Sequence, residues 1–250
     1  VPVQKNALVV GGGAAGMTAA LNLASQGFPV HLVEKDAQLG GQLRKLFTPL
    51  KGLDPQKLLQ DLVARIENEP AVTVHKRAQV VASTGFKGNF TSQVENNAGE
   101  LISIRHGVTI LAAGGEEYRG NEFGYGSHPR IITQQGLERR LAEGALSGEL
   151  PEDGSLVMIQ CVGPAQEYCS RICCTTALKN AAALKDAFPK LEIQILYQDL
   201  RVYGRYEELY TDVRGRGVLF FRYDDSHQPQ LSWGPGSGEG DRTEEGLPPL

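Results

Sequence analysis

ALVVGGGAAGMTAALNLASQGFPVHLVEK, residues 7–35, strings together a short apolar run, a cluster of glycines, a helical repeat of apolar side chains and a second apolar run that ends on an acid. Residues 7–10 contain nothing polar, as expected of a strand buried on both faces. Met17, Ala20, Leu21 and Ala24 recur at helical spacing until Gly27 ends the helix. Residues 29–33 form the next strand, closed by Glu34, so the stretch predicts a complete βαβ unit. Gly11, Gly13 and Gly16 fit G-x-G-x-x-G at the end of the first strand, and Glu34 stands about 20 residues further on. Glycines let a backbone turn tightly and approach a pyrophosphate, the following helix offers free amides and the positive end of its dipole, and a carboxylate accepts ribose hydroxyls. The plain alternative is a tight glycine turn that holds nothing. The ordered succession of strand, helix, strand and acid favours a dinucleotide site over it.

A second glycine pair follows in Leu39-Gly40-Gly41-Gln42-Leu43. In two-dinucleotide-binding flavoproteins a loop of this kind approaches the flavin end of the cofactor, which favours FAD over NAD. Asp54 and Pro55 predict a helix start with an N-cap and a proline at N1, and Leu58, Leu59, Leu62, Val63 and Ile66 supply its apolar face. Short strands are predicted around 72–75, 79–83, 89–94 and 101–104. The segment 107–115 reads as an apolar strand ending in small residues. It resembles the A-T-G strand that returns under the FAD in that fold, with Ala113 where Thr is frequent, although a plain buried strand followed by a turn would look similar. The expected FAD contacts are Gly11, Gly13, Ala14, Ala15 and Gly16 on the first turn, with Glu34 and Lys35 after the second strand. Gly40, Gly41 and Gln42 on the second loop and Ala112, Ala113 and Gly114 after the returning strand complete the set.

From about residue 155 the pattern repeats: a strand at 156–160, a helix at 170–187, a strand at 191–197, a helix at 206–214 and a strand at 218–222. This is the layout of the NAD(P)H domain of a disulfide reductase, without its glycine turn. Cys161-Val162-Gly163-Pro164-Ala165-Gln166 stands there instead, with one glycine and a proline that removes a donor amide. All four cysteines of the chain fall in CVGPAQEYCSRICC, residues 161–174. A dithiol redox centre usually needs Cys-x-x-Cys, which is absent, and structural zinc usually takes paired Cys-x(2–4)-Cys knuckles. An iron–sulfur cube tolerates irregular spacing, and Cys161, Cys169, Cys173 and Cys174 supply four thiolates. On spacing the cluster is favoured, with zinc and free or redox-active thiols left open. Cys173 and Cys174, being adjacent, leave a helix in different directions, so a distorted first turn is expected.

With 41% hydrophobic and 22% charged residues the chain can build real cores. Its net charge of −4, without a stripe of Lys and Arg, argues against nucleic acid as a partner. No apolar run approaches the roughly 20 residues of a membrane span. The opening VPVQKNALVV lacks the pattern of a signal peptide, and a cytoplasmic protein is expected. A first residue other than Met, and residues 226–250 rich in Gly, Pro and acids, read as a piece of something larger with a tail or linker. The five histidines are scattered without ligand spacing, so no histidine site is expected. The expected division is a FAD-binding Rossmann-like domain at 1–150, a second Rossmann-like block with the cysteines at 151–225, and the tail at 226–250.

The first stretch together with LGGQL, HGVTILAAGGEEYRG, VMIQCVG, YCSRICCTTALKNAAALK and ILYQDLRVYGRYEELY resembles the flavin-carrying A-type subunit of heterodisulfide reductases and its relative in the quinone-interacting complex of sulfate reducers. The likeness runs in order over about residues 6–224. It implies an α/β fold of the thioredoxin-reductase-like type, with two Rossmann-like βαβ blocks. It also implies FAD, a [4Fe–4S] cluster on Cys161, Cys169, Cys173 and Cys174, and electron transfer between them. The implied partners are other iron–sulfur subunits of a redox complex, peripheral to a membrane in some assemblies. By the same likeness Lys179 points at the flavin ring and stabilises its anionic reduced form, and Glu138 and Gln134 flank the ring. The residues alone read more plainly as an exposed helix lysine and a solvated helix face.

Overall fold

The computed structural model describes residues 2–50, 52–151, 153–163 and 169–232. Pro164, Ala165 and Gln166 of the expected cradle, and the tail from residue 233, lie outside the described residues. The chain divides into two compact units, one of residues 1–47 and 51–116 and one of residues 48–50 and 117–250.

In the first unit the opening stretch is β1 (Ala7–Val10), α1 (Ala14–Ser25) and β2 (Val30–Glu34). It continues through α2 (Pro55–Glu67), β3 (Val72–Lys76), β4 (Ala78–Phe86), β5 (Asn89–Asn96), β6 (Leu101–His106) and β7 (Val108–Leu111). The strands β3-β2-β1-β7 make a parallel sheet, with Ala7 opposite both Val30 and Val108. Alternate residues of β1 go to opposite faces. Ala7 and Val9 pack with Met17, Ala20 and Leu21 of α1 and Leu62 and Ile66 of α2. Leu8 packs with Ala78, Val94 and Ile104 of the antiparallel sheet β4-β5-β6. The run is apolar throughout because both faces are covered. Asp54 caps α2 as expected, accepting the Gln56 amide (2.8 Å) and the Lys57 amide (3.2 Å).

The second unit holds α3 (Gln134–Ala142), α4 (Leu146–Glu149), β8 (Ser155–Ile159), α5 (Ile172–Ala187), β9 (Glu192–Tyr197), α6 (Glu207–Gly215) and β10 (Leu219–Arg222). Its parallel sheet runs β10-β9-β8. Met158, Ile193 and Ile195 pack against Ala177, Leu178, Ala181 and Leu184 of α5 and Val213 of α6. Leu137 of α3 and Leu146 of α4 enter the same core, which is why residues 117–150 group with this unit. The helix expected from Ser170 begins two residues later, because Arg171 is left-handed (φ 63°).

Two half-buried imidazoles meet in the first unit although no sequence spacing pairs them, and a third is buried in the same unit. His31 Nδ1 and His75 Nε2 lie 3.1 Å apart, brought together by the β2–β3 pairing. His106, fully buried, contacts Ser92 Oγ (2.8 Å) and the Val108 carbonyl (3.1 Å). Burial lowers all three pKa values below the ordinary histidine range, and at His31 the charges of His75 and His106 lower it further. A folded-state pKa below the unfolded one means that the unfolded chain takes up the proton first. The histidine contribution is therefore complete above about pH 6.5 and lost as pH falls below it. The urea midpoint of unfolding is expected to drop between pH 7 and pH 5, and a His31→Phe, His75→Phe variant to show a shallower drop. Equal slopes in the two proteins would exclude the pair as the cause.

Candidate functional site

At the end of β1 the three glycines of the motif do different work. Gly11 has φ 110°, and a Cβ there would overlap the Ala112 carbonyl oxygen just beyond β7. A Cβ on Gly16 would overlap the Gly11 carbonyl oxygen, so these two glycines let α1 and β7 close on the strand end. A Cβ on Gly13 would meet no atom within 4 Å. Gly13 is also the N-cap of α1, and no side chain caps that helix. The amides of the first turn, at Ala14, Ala15 and Gly16, have no carbonyl one turn back to bond.

The second glycine pair lies directly on the first. The Gly40 amide donates to the Gly12 carbonyl (2.8 Å), Gly40 bridges Gly13, and a Cβ on Gly41 would stand 3.2 Å from Gly13 Cα. Leu39 and Leu43, both buried, anchor that loop in the core, and Gln42 Nε2 donates to the Gly115 carbonyl (2.6 Å). Glu34 is buried: its Oε2 accepts the Gly12 amide (2.6 Å) and its Oε1 the Asp36 amide (2.8 Å). Each oxygen keeps a further lone pair for a ribose hydroxyl. Lys35 is exposed and ion-paired with Glu116 (3.0 Å), while Ala113 and Gly114 are exposed beyond Ala112. An open backbone at Gly13 under an uncapped helix terminus is a cradle of the right chemistry for a pyrophosphate, and the residues present fit FAD.

In the second unit the corresponding turn is closed. The Gln160 amide donates to the Leu196 carbonyl (2.8 Å), as the Gly11 amide does to Val33, so Gln160 and not Cys161 takes the place of the first glycine. The cradle register read from the sequence is corrected by one residue. Cys161 is left-handed (φ 59°), as is Gly163 (φ 72°), and a Cβ on Gly163 would overlap the Tyr118 ring.

All four cysteines are free thiols. Cys161 Sγ lies 3.7 Å and Cys174 Sγ 3.8 Å from the same acceptor, the Asp199 carbonyl. Because α5 starts at Ile172, Cys173 and Cys174 fall in its first turn. A hydrogen bond from the Cys173 thiol lowers Cys174 to about 6, against a burial that raises it, with help from the Arg201 amide. The same bond raises Cys173, to which burial and the charges of Cys174, Cys169 and Cys161 add. The four sulfurs thus sense one another in one corner of the unit. Four soft donors, two of them in the first turn of a helix, fit an iron–sulfur cluster in kind. As placed, with Cys161 and Cys174 turned to the Asp199 carbonyl, they form no group of three or more side chains that could hold a metal among the described residues.

Lys179 and Glu138 overturn their plain readings, for neither is exposed. Glu138 is fully buried and Lys179 is 8% exposed. Lys179 Nζ donates to both Glu138 oxygens (2.8 and 2.9 Å), and Glu138 Oε1 also accepts the Thr48 amide (2.7 Å). Next to Lys179, Asn180 Nδ2 donates to Gln134 Oε1 (2.8 Å), while the buried Asn180 Oδ1 has no partner among the described residues. The packing of α3 on α5 covers them. The signal was in the sequence: Lys179 and Asn180 stand among Ala177, Ala181, Ala182 and Ala183, small residues that let another helix approach closely.

A family model described as FAD dependent oxidoreductase matches residues 6–113. The A-type subunit of the ferredoxin:CoB-CoM heterodisulfide reductase of Methanosarcina acetivorans is 29% identical over 89% of this chain and 43% of its own length. The A-type iron-sulfur subunit of the CoB–CoM heterodisulfide reductase of Methanocaldococcus jannaschii is also 29% identical, over 89% of this chain and 48% of its own. The chain therefore spans about half the length of the curated relatives it matches. Among solved structures, thioredoxin reductase of T. acidophilum superposes with a TM-score of 0.51 at 13% identity, over 87% of this chain and 63% of that one. The resemblance read from the motifs holds: in sequence this chain is similar to the A-type subunits of heterodisulfide reductases, and its fold is the α/β fold of thioredoxin-reductase-like flavoproteins.

Proposed function

We propose that this chain is the electron-transfer flavoprotein part of a heterodisulfide-reductase-like complex, an oxidoreductase module with FAD in the first unit and a [4Fe–4S] cluster on Cys161, Cys169, Cys173 and Cys174. The observation that carries the reading is the contrast between the two strand-end turns, one open at Gly13 and the other filled by thiols and an aromatic ring. FAD when bound exchanges electrons in pairs or singly, and an iron–sulfur cluster exchanges them one at a time. The protein's part is to hold and polarise. In this reading the amides of Ala14 and Ala15 bind the pyrophosphate, Glu34 orients the ribose, and Gly40, Gly41 and Gln42 with Ala112 to Gly114 form the walls. The Lys179 ammonium is held by both oxygens of the buried Glu138, which balances its charge within the second unit. Other iron–sulfur subunits are the proposed partners, in the cytoplasm. Among the described residues no helix is long and apolar enough to cross a membrane.

The competing reading is an NAD(P)H-dependent disulfide reductase. Against it stand the missing Cys-x-x-Cys and the Tyr118 ring at Gly163, where a dinucleotide would need open backbone.

Three outcomes test the proposal. Gly13→Val is expected to leave the melting temperature of the FAD-free protein unchanged, because its Cβ meets nothing, and to abolish flavin retention. Glu34→Ala is expected to lower both, since its carboxylate also holds Gly12 and Asp36. If both variants keep flavin as the parent does, the site lies elsewhere. Protein purified without oxygen is expected to carry about four irons and matching sulfide per chain, and Cys161→Ser or Cys173→Ser to lower that count while flavin stays bound. Stoichiometric zinc, or no iron after reconstitution, favours the other thiol chemistries. Finally, titration with NADH or NADPH is expected to show no saturable binding to Gly13→Val; tight binding there would return the second unit to the nicotinamide reading.

A further inference from the structure

We propose that Tyr118 is the positioning residue of the Cys161 turn: its ring, laid across the Gly163 peptide, covers the turn and keeps the Cys161 thiol against the Asp199 carbonyl. The inference goes beyond the assignment of the four thiols as cluster ligands. Only its iron arm rests on that assignment.

The turn needs an external hold. Cys161 is left-handed (φ 59°), a conformation that a residue with a Cβ keeps only when its surroundings over-determine it. Upstream the hold is visible: the Gln160 amide donates to Leu196 (2.8 Å) and Tyr223 Oη donates to the Gln160 carbonyl (2.5 Å). Downstream of Cys161, among the described residues, the Tyr118 ring lies against Gly163. Gly163 lacks the Cβ that would overlap three of the ring's carbons, so the ring can lie on bare backbone.

The ring is itself fixed. Tyr118 Oη donates to Glu122 Oε1 (2.7 Å), and Gly120 between them has no room for a side chain, because a Cβ there would overlap the Glu122 carboxylate and the Tyr118 hydroxyl. The Tyr118 hydroxyl and the Glu122 carboxylate thus close over Gly120. Tyr118 is 50% exposed, and so it forms an outer wall of the turn. Among the described residues nothing comparable stands over Gly13 in the first unit, and the two turns differ in access.

If the ring is the cover, its removal must expose Cys161 selectively. In the full-length apoprotein, reduced and kept free of oxygen, labelling by iodoacetamide is followed cysteine by cysteine by mass spectrometry of the digest. Tyr118→Ala is expected to label Cys161 several-fold faster than the parent, with Cys169 and Cys173 unchanged. Tyr118→Phe, which keeps the ring and loses the Glu122 bond, is expected to label Cys161 at most slightly faster than the parent and far more slowly than the alanine variant. Parental labelling in the alanine variant, equal acceleration at all three cysteines, or a phenylalanine variant as fast as alanine would each overturn the proposal. Where the alanine variant does not fold, Tyr118→Leu takes its place with an intermediate acceleration expected, and parental labelling there overturns it equally. In reconstituted protein the alanine variant is expected to lose iron in air several-fold faster than parent and phenylalanine variant, and an unchanged loss rate counts against the cover. A parent that takes up no iron overturns the cluster reading alone, since the labelling arm does not involve it.

Discussion

The contact between Gly16 and the Gly11 carbonyl decides how the first unit is built. With no Cβ at 16, α1 starts as soon as β1 ends and lies close against it, while the missing Cβ at Gly11 lets Ala112 come up on the other side. Gly13 stands at the N-cap of that helix and brings no side chain to cap it. Its first amides and the positive end of its dipole then face outward together. Glu34 completes the arrangement from the second strand by holding the Gly12 amide at 2.6 Å, so the turn is braced before any ligand arrives. Two glycines of the motif serve packing, and Gly13 leaves open space among the described residues.

The second unit uses the same parallel framework to a different end. Gln160 makes the strand-end hydrogen bond that Gly11 makes, and α5 starts after a left-handed residue rather than a glycine. The first turn of that helix carries Cys173 and Cys174. A helix N-terminus favours an anion whatever its identity, and thiolates exploit the field that a phosphate would otherwise use. The hydrogen bond between the two neighbours concentrates the effect on Cys174, leaving Cys173 with the shared proton. One parallel framework thus leaves an open helix N-terminus in the first unit and a thiol-bearing one in the second.

Much of this architecture could be read from residue order because the periodicities are local. The strand 7–10 and the Asp54 cap are where the pattern puts them, and the later strands differ by only a few residues at their ends. What escaped was decided by contacts distant in sequence. The alanines around Lys179 announce a close helix neighbour, but not that it is α3, some 40 residues earlier. The His31–His75 contact depends on strand register, in which Val33 and not His31 lies opposite His75, so spacing along the chain could not reveal it. The late start of α5 follows from one left-handed arginine, a conformation that composition does not encode. At the thiols the donor set was legible, whereas their common acceptor, Asp199, is a backbone atom and leaves no mark on the sequence.

The Glu138–Lys179 pair raises a different question, since burying two charges is costly. Their attraction offsets the loss of hydration only when the geometry is good and the remaining lone pairs are satisfied, and well-packed apolar residues often do as well. Here the geometry is good, with two short bonds to one carboxylate and a third from the Thr48 amide. Net stability is still a poor reason for such a pair. Removing one partner, by contrast, strands a buried charge at a cost of about 3–5 kcal/mol, so the pair fixes which surfaces of α3 and α5 face each other and ties residues 48–50 to them. The neighbouring Asn180 oxygen, buried without a partner among the described residues, costs about 1–3 kcal/mol on its own. An interface that carries a neutralised charge pair and an unsatisfied acceptor side by side has been shaped for polarity, and packing alone does not account for it.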